Sequence, residues 1–230
     1  MLVIEEGQHF TRKDFDGRAL RAQRRMFHKG GLQMTLGNTV IPLPTGKTVG
    51  GTTTVNSGTC YRISESVHRR WMLEEGLGEL GPGSLDAHYD KVEAMLQVSQ
   101  ATPSTLGGCA RVIARGAEAL GYEHGPLMRN APACDGQGVC CFGCPTDAKR
   151  STNVSYLPAA LKRGAMLMSC ARVERILTEG GRACGVVASA RTASGRRRRI
   201  DVRAKVVVLA AGALPLVGLV NHWGRLLLLA

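Results

Sequence analysis

The chain has 230 residues, 44% of them hydrophobic, which is enough for a sizeable core and excludes a disordered protein. Its net charge of +12 suggests nucleic-acid binding, but aromatic residues are only 4% and none interleaves with the densest basic run, Arg196–Arg199. No apolar run approaches the roughly 20 residues of a transmembrane helix, and the N-terminus lacks a signal-peptide pattern. We therefore expect a globular, cytoplasmic protein with no nucleic-acid partner and no membrane span.

The first elements are an apolar strand and a charged connection. The run Leu2–Ile4 predicts a strand within residues 1–8, which ends beside the acidic Glu5. The strongly charged stretch Lys13–His28 predicts a surface helix or an irregular connector. Pro42 and Pro44 then precede a loop of different composition.

That loop covers residues 46–59 and reads Gly-Lys-Thr-Val-Gly-Gly-Thr-Thr-Thr-Val-Asn-Ser-Gly-Thr. The pair Gly50-Gly51 lets backbone N–H groups approach a flat or anionic ligand closely. The threonines and Asn56 supply both hydrogen-bond donors and acceptors. Such a loop suits a large bound cofactor.

Three helices are predicted in the middle of the chain. Ser64 is a plausible N-cap for the first, Ser84 precedes the second, and the third covers Thr105–Leu120. The large side chains at helical spacing are predicted to be core residues; they are Trp71, Tyr89 and Leu96.

Four cysteines fall within eleven residues, at positions 134, 140, 141 and 144. Thiolates are good zinc ligands, and Cys-x-x-Cys-Pro is also part of some iron–sulfur loops. The spacing fits neither well, because a zinc ribbon needs a second spaced pair and the other four cysteines are scattered. A disulfide is a third option. We favour a structural role for this segment and keep a metal or iron–sulfur module as the alternative function.

The last third alternates between a helix and strands. A helix is predicted over Leu157–Arg163, led by Tyr156, and Gly180-Gly181 is a natural hairpin turn. The predicted strands are Ala165–Ser169, Val173–Thr178, Ala183–Arg191, Ile200–Arg203 and Lys205–Ala211. The last of them is continuous and apolar, as expected of a strand buried on both faces of a parallel sheet.

The loop at residues 46–59 resembles the signature of the glucose-methanol-choline (GMC) oxidoreductases, flavoenzymes that oxidise alcohols with FAD. Seven or more positions agree in order with Gly-Arg/Lys-x-Val-Gly-Gly-Ser/Thr-Ser/Thr-x-Val/Ile-Asn. Behind it, in the family's order, come a valine strand matched by Val173 and a turn matched by Ala211-Gly212-Ala213. The cysteine-rich block that ends in Ala148-Lys149-Arg150-Ser151 is similar to that of the bacterial branch with long-chain alcohol oxidase-like and choline dehydrogenase-like proteins. The resemblance covers nearly all of residues 2–213.

The resemblance implies a mixed α/β fold, with an incomplete Rossmann-like FAD-binding domain and part of a substrate domain. The flavin domain would comprise residues 1–62 and 156–213, the helical and cysteine-rich substrate region residues 63–155, and an atypical tail residues 214–230. Glu5, at the end of its strand, would accept hydrogen bonds from the ribose hydroxyls of adenosine. The residues implied to contact FAD are Glu5, Gly50, Gly51, Thr52, Asn56, Ser57, Gly58, Thr59, Val173, Ala211 and Gly212.

The implied activity is oxidation of the CH–OH group of a small-molecule alcohol, with hydride passing to FAD and electrons to oxygen or another acceptor. The family's reaction uses a histidine base, and none of the six histidines lies in a matching context, so no catalytic residue is assigned. The family's first strand, glycine turn and helix are expected upstream of Leu2, and the sequence departs from the family pattern after Ala213. We therefore expect an internal fragment, with a frameshift or truncation soon after Ala213, that is inactive alone.

Overall fold

The computed structural model describes residues 1–192 and 194–212, which form two compact units. The first unit combines Met1–His9 with the described residues from Gly164 onward, and the second is Phe10–Arg163. The boundaries expected near residues 62 and 155 lie inside the second unit. The assignment of segments to flavin and substrate domains stays a prediction. The tail expected at residues 214–230 lies outside the described residues.

The regular elements in the described part of the first unit are all strands. They are β1 (Leu2–Ile4), β4 (Met166–Met168), β5 (Ala171–Glu179), β6 (Arg182–Arg191) and β7 (Arg197–Arg203). β1 pairs with β4 in parallel, with Leu2 opposite Met166, while β5, β6 and β7 form an antiparallel sheet in that order. Gly180 and Gly181 turn the β5–β6 hairpin with φ of +55° and +75°, values that favour glycine.

The prediction of a buried strand over Lys205–Ala211 is wrong. This segment has no strand structure, and Val206 and Val208 are 75% and 82% exposed. An apolar strand is stabilised by hydrogen-bonded neighbours on both edges. Within residues 1–192 and 194–212, no strand pairs with this segment. Apolar composition alone therefore does not give it strand structure.

The second unit is mainly helical. Its helices are α1 (Ala19–Met26), α2 (Thr52–Val55), α3 (Glu65–Glu74), α4 (Asp86–Leu96), α5 (Gly108–Ala119) and α6 (Tyr156–Lys162). Two short strands, β2 (Ser99–Gln100) and β3 (Met128–Arg129), pair antiparallel. Single 3-10 turns occur at Arg12–Asp14, His28–Gly31, Gly78–Leu80 and Pro103–Thr105. No helix in the described part of the chain is both long enough and apolar enough to cross a bilayer.

A small apolar core forms around α1. This helix lies in the charged stretch 13–28 and turns Ala22 and Met26 inward, so the stretch is not purely a surface element. The members of the core are Phe10, Phe15, Ala22, Met26, Phe27 and Val55, with Phe142 packed against them. Because Val55 ends α2, this core supports one side of the glycine loop.

Helices α3 to α5 begin close to where the sequence predicts them. Ser64 caps α3, since its Oγ accepts a hydrogen bond from Val67 N at 3.4 Å. The core prediction for Trp71, Tyr89 and Leu96 is wrong, because all three are only half-buried. Tyr89 instead lies under the Arg62 guanidinium, 5.5 Å from Cζ to the ring centre.

Candidate cofactor-binding site

The glycine loop turns sharply at three glycines. Gly50, Gly51 and Gly58 have φ of +92°, +53° and +73°, in the region where a side chain is strained. Between them, residues 52–55 form the single helical turn α2. The loop therefore changes direction at its glycines, where a residue with a side chain would be strained.

Two of these glycines are also required by packing. A Cβ on Gly50 would lie 2.5 Å from Thr54 Oγ1 and 3.1 Å from Asn153 N. A Cβ on Gly58 would lie 2.4 Å from Asn130 Oδ1 and 3.1 Å from Lys149 Cδ. The contacts with Thr54 Oγ1 and Asn130 Oδ1 are shorter than real Cβ contacts and the other two are tight, so neither position accommodates alanine without movement of its neighbours.

Gly51 is different, because its open side meets no protein. A Cβ built there has no atom within 4 Å other than those of its chain neighbours. The next residue, Thr52, is exposed. The loop thus presents a backbone edge without a side chain at Gly51, which fits the close approach of a flat or anionic group.

The inner face of the loop is tied to residues 149–153. Thr53 Oγ1 lies 2.9 Å from Thr152 Oγ1, and Thr54 Oγ1 donates to Val49 O at 3.0 Å and lies 3.3 Å from Asn153 Oδ1. Thr54 is 1% exposed, so these bonds are sheltered from water. The threonines of the loop therefore differ: Thr53 and Thr54 tie it to Thr152 and Asn153, whereas Thr52 is exposed and its Oγ1 accepts a hydrogen bond from Gly46 N at 3.1 Å within the same loop.

Lys149 is the most buried charged residue of this region, with 1% of its surface exposed. Its Nζ donates to Thr54 O at 2.9 Å, Asn56 O at 2.6 Å and Cys140 O at 2.8 Å. Burial lowers the pKa of Lys149 to about 8, while the neighbouring thiols act in the opposite direction. The three donors of the ammonium match three carbonyl acceptors.

The end of the loop carries the remaining polar candidates. Ser57 is exposed, and its Oγ lies 3.2 Å from Thr59 Oγ1. Asn56 Oδ1 accepts from Gly58 N at 3.1 Å, so its Nδ2 is the group of this side chain outside that turn. Thr52 and Ser57 are thus exposed, and Thr59 is half-buried. Their role in cofactor binding stays a prediction.

In the first unit, Glu5 is hydrogen-bonded through its backbone to the start of β5, the strand that carries Val173. Ala171 N donates to Glu5 O at 2.9 Å, and Val173 follows two residues later in β5. Glu5 Oε1 accepts from Gly7 N at 2.6 Å. Ala211 and Gly212 are exposed and lie outside any strand. The predicted contacts of these four residues with FAD are not tested by this geometry.

Two cysteines of the cysteine-rich segment accept hydrogen bonds in the region around Lys149. Arg129 Nη2 donates to Cys140 Sγ at 3.1 Å, and Lys149 N donates to Cys144 Sγ at 3.3 Å. All eight cysteines are free thiols. In the part of the chain that the structure describes, no group of three or more His, Cys, Asp or Glu side chains is arranged to hold a metal ion. The geometry therefore does not favour the metal or iron–sulfur alternative.

The basic run lies on the edge strand β7 except for Arg196, which precedes it. Arg197 pairs with Glu174, and Arg199 pairs with Asp201 at 2.9 Å. Further along β7, Arg203 pairs with Glu179. Three of the arginines on this strand therefore have acidic partners within the same sheet.

Comparison with known proteins identifies the family. The GMC oxidoreductase family model matches residues 23–224 of this chain. An uncharacterised GMC-type oxidoreductase of Mycobacterium tuberculosis is 40% identical over 225 residues, covering 97% of this chain and 35% of the relative. Another GMC-type oxidoreductase, from Sinorhizobium fredii, is 32% identical over 97% of this chain and 44% of the relative. The chain belongs to the GMC oxidoreductase family, which confirms the resemblance.

More distant relatives include oxidases with named activities. The long-chain-alcohol oxidase FAO4B of Arabidopsis thaliana is 27% identical over 93% of this chain and 29% of the relative. The chain therefore spans less than half the length of the curated relatives it matches.

Among solved structures, pyridoxine 4-oxidase from Mesorbium loti aligns with a TM-score of 0.67 at 17% identity, covering 93% of this chain and 45% of that one. A formate oxidase aligns with a TM-score of 0.51 at 13% identity, over 87% of this chain and 39% of that one. At such identities the likeness concerns the fold alone. It confirms the predicted mixed α/β fold class.

Sequence reasoning missed the residues that hold the loop. Lys149, Thr152 and Asn153 belong to the cysteine-rich block and the stretch that follows it, for which only a structural connection was predicted. The signal was available in part, because Lys-Arg-Ser-Thr-Asn at residues 149–153 is a polar cluster inside an otherwise irregular segment. Nothing in the local sequence indicates that its partner is a loop more than 90 residues away.

Proposed function

We propose that this chain binds FAD through the exposed edge of the glycine loop, as part of an enzyme that oxidises the CH–OH group of a small-molecule alcohol. The observation that carries this proposal is the contrast within the loop. Gly50 is packed against Thr54 and Asn153, whereas Gly51 is open and stands beside the exposed Thr52. Family membership supplies the kind of ligand that such an edge would take.

Bound FAD would supply the two-electron chemistry, accepting hydride from the alcohol carbon. The chain's own contribution is to bind and orient. Backbone groups at Gly51 and hydroxyls at Thr52, Ser57 and Thr59 would position the cofactor. The buried bonds of Thr53 and Thr54 keep this edge fixed, so that little ordering is needed when the cofactor binds.

The first unit supports a separate proposal about the adenosine part of FAD. Glu5 lies directly after β1, which pairs in parallel with β4. An acid in this position suits the ribose hydroxyls, as in other dinucleotide-binding folds. Because Glu5 Oε1 also accepts from Gly7 N, the carboxylate is held in one orientation at the end of the strand.

For the substrate and the electron acceptor we propose a chemical class and no particular compound. The Arabidopsis relatives named long-chain-alcohol oxidases support an alcohol substrate with oxygen as one possible acceptor, at identities of 25% to 27%. No histidine of this chain lies in the context of the family's base, which supports the proposal that the chain alone does not turn over an alcohol.

The proposal is tested by flavin retention. The purified chain is incubated with FAD and desalted, and the absorbance bands of bound flavin are compared with those of Gly51→Ala. Gly76→Ala is the matched control, because Gly76 also has a positive φ (+66°) and open surroundings but follows α3, outside the loop. We expect flavin to be retained by the wild type and the control and to be lost from Gly51→Ala. Loss of flavin from all three proteins, or equal retention, contradicts the proposal.

A further inference from the structure

A lone buried cation beneath the glycine loop is unusual. Lys149 is 1% exposed, and among the residues that the structure describes its electrostatic neighbours are three thiols and Arg129, with no Asp or Glu. Burying a charged ammonium without a counter-ion costs free energy. The cost is tolerated only where the donors of the ammonium find hydrogen-bond acceptors. The three carbonyl oxygens within 2.9 Å of Nζ meet that condition.

Two of those carbonyls belong to the end of α2. Thr54 lies in the single turn of α2 and Asn56 directly follows it, and carbonyls at the end of a helix have no partners within it. A lysine side chain can supply the missing donors at a helix C-terminus. Lys149 does so from a segment 93 residues further along the chain, because Asn56 O lies 2.6 Å from its Nζ.

The aliphatic stem of Lys149 constrains the next turn of the loop. A Cβ on Gly58 would lie 3.1 Å from Lys149 Cδ and 3.3 Å from its Cγ, so the stem packs closely against this glycine. The ammonium thus holds residues 54–56, and the stem holds residue 58. Ser57, the exposed candidate ligand, lies between these two contacts.

We propose that Lys149 is a positioning residue for FAD: by holding the carbonyls of Thr54, Asn56 and Cys140, it fixes the part of the loop that carries Ser57 and Thr59. It does not touch the cofactor itself, since it lies on the buried side of the loop. This inference rests on the proposed function, because it assumes that the loop binds flavin.

The test compares Lys149→Met, which keeps the length of the stem but removes all three donors, with Lys149→Arg, which keeps the charge. Lys162→Met is the matched control, because Lys162 is exposed at the end of α6. Two quantities are measured on each chain: the Kd for FAD, and amide hydrogen exchange of residues 50–59 without FAD. We expect Lys149→Met to weaken FAD binding by about tenfold or more and to speed exchange in the loop. Lys149→Arg should recover part of the affinity, and Lys162→Met should match the wild type.

The outcomes separate the two proposals. If the wild-type chain does not bind FAD but Lys149→Met exchanges faster in the loop, the proposed function fails and the loop-holding role stands. If the wild type binds FAD and Lys149→Met binds it equally well with unchanged exchange, the positioning role is overturned.

If Lys149→Met does not fold, the wild-type chain itself provides the measurement. A lysine ammonium signal protected from solvent exchange in a 15N NMR spectrum, with a shift that moves on addition of FAD, supports the inference. A spectrum with no protected ammonium, or one that stays unchanged while flavin is bound, overturns it.

Discussion

Replacing Gly50 and Gly51 one at a time by alanine tests whether neighbouring glycines of the loop have different roles. Both have positive φ, so each alanine should cost about 1–2 kcal/mol in backbone strain. At Gly50 the added Cβ also lies 2.5 Å from Thr54 Oγ1 and 3.1 Å from Asn153 N. Such overpacking adds about 2 kcal/mol. At Gly51 no atom stands within 4 Å, so no such addition is expected.

We therefore expect Gly50→Ala to be about 2 kcal/mol less stable than Gly51→Ala. Urea unfolding followed by circular dichroism measures the difference. With a slope of about 2 kcal/mol per molar urea, the midpoint of Gly50→Ala should lie about 1 M below that of Gly51→Ala. Equal midpoints for the two variants would refute the reasoning, because they would show that the packed and the open glycine are equivalent in the folded chain.

Three further measurements probe the same architecture. The pKa of Lys149 is lowered to about 8 from 10.5, so between these pH values the unfolded chain holds one more proton than the folded chain. The loss of stability caused by burying the ammonium is therefore complete below pH 8 and becomes smaller as the pH rises. The stability of the wild type relative to Lys149→Met should then grow above pH 8 by at most about 1.4 kcal/mol per pH unit, whereas a constant difference would contradict the burial. The other titratable or charged groups facing Lys149 are Arg129, Cys140, Cys141 and Cys144. Burial raises the pKa of the Cys60 thiol, so mass spectrometry should find Cys60 alkylated by iodoacetamide more slowly than the exposed Cys109, and equal rates would be inconsistent with a half-buried Cys60. Ser64→Ala should lower the free energy of unfolding by about 1 kcal/mol through loss of the α3 cap, while Ser66→Ala, inside the same helix, should change it by less.

Local patterns were sufficient to predict most elements of secondary structure. The Ser64 cap, the Gly180-Gly181 hairpin and the helix after Ser155 depend on neighbouring residues, and the structure has each of them. Gly50 and Gly51 were singled out because they lack a side chain, and the structure shows that both also have a positive φ.

Features that depend on distant partners were not predictable in this way. Lys205–Ala211 has the composition of a buried strand, but strand structure also needs neighbours, and none pairs with it within the described residues. Trp71 and Leu96 lie at helical spacing, but burial depends on what packs against the helix, and both are only half-buried. Lys149 shows the opposite case, where a charged residue is buried because distant carbonyls accept its hydrogen bonds.

The central claim is that flavin binds on the exposed edge of the glycine loop. Amide hydrogen exchange of the wild-type chain, measured with and without saturating FAD, tests this claim most directly. We expect FAD to slow exchange within residues 50–59 more than in helices α3 to α5, because the loop would contact the cofactor and those helices would not. Exchange in the loop that FAD leaves unchanged, while flavin is bound, would contradict the account.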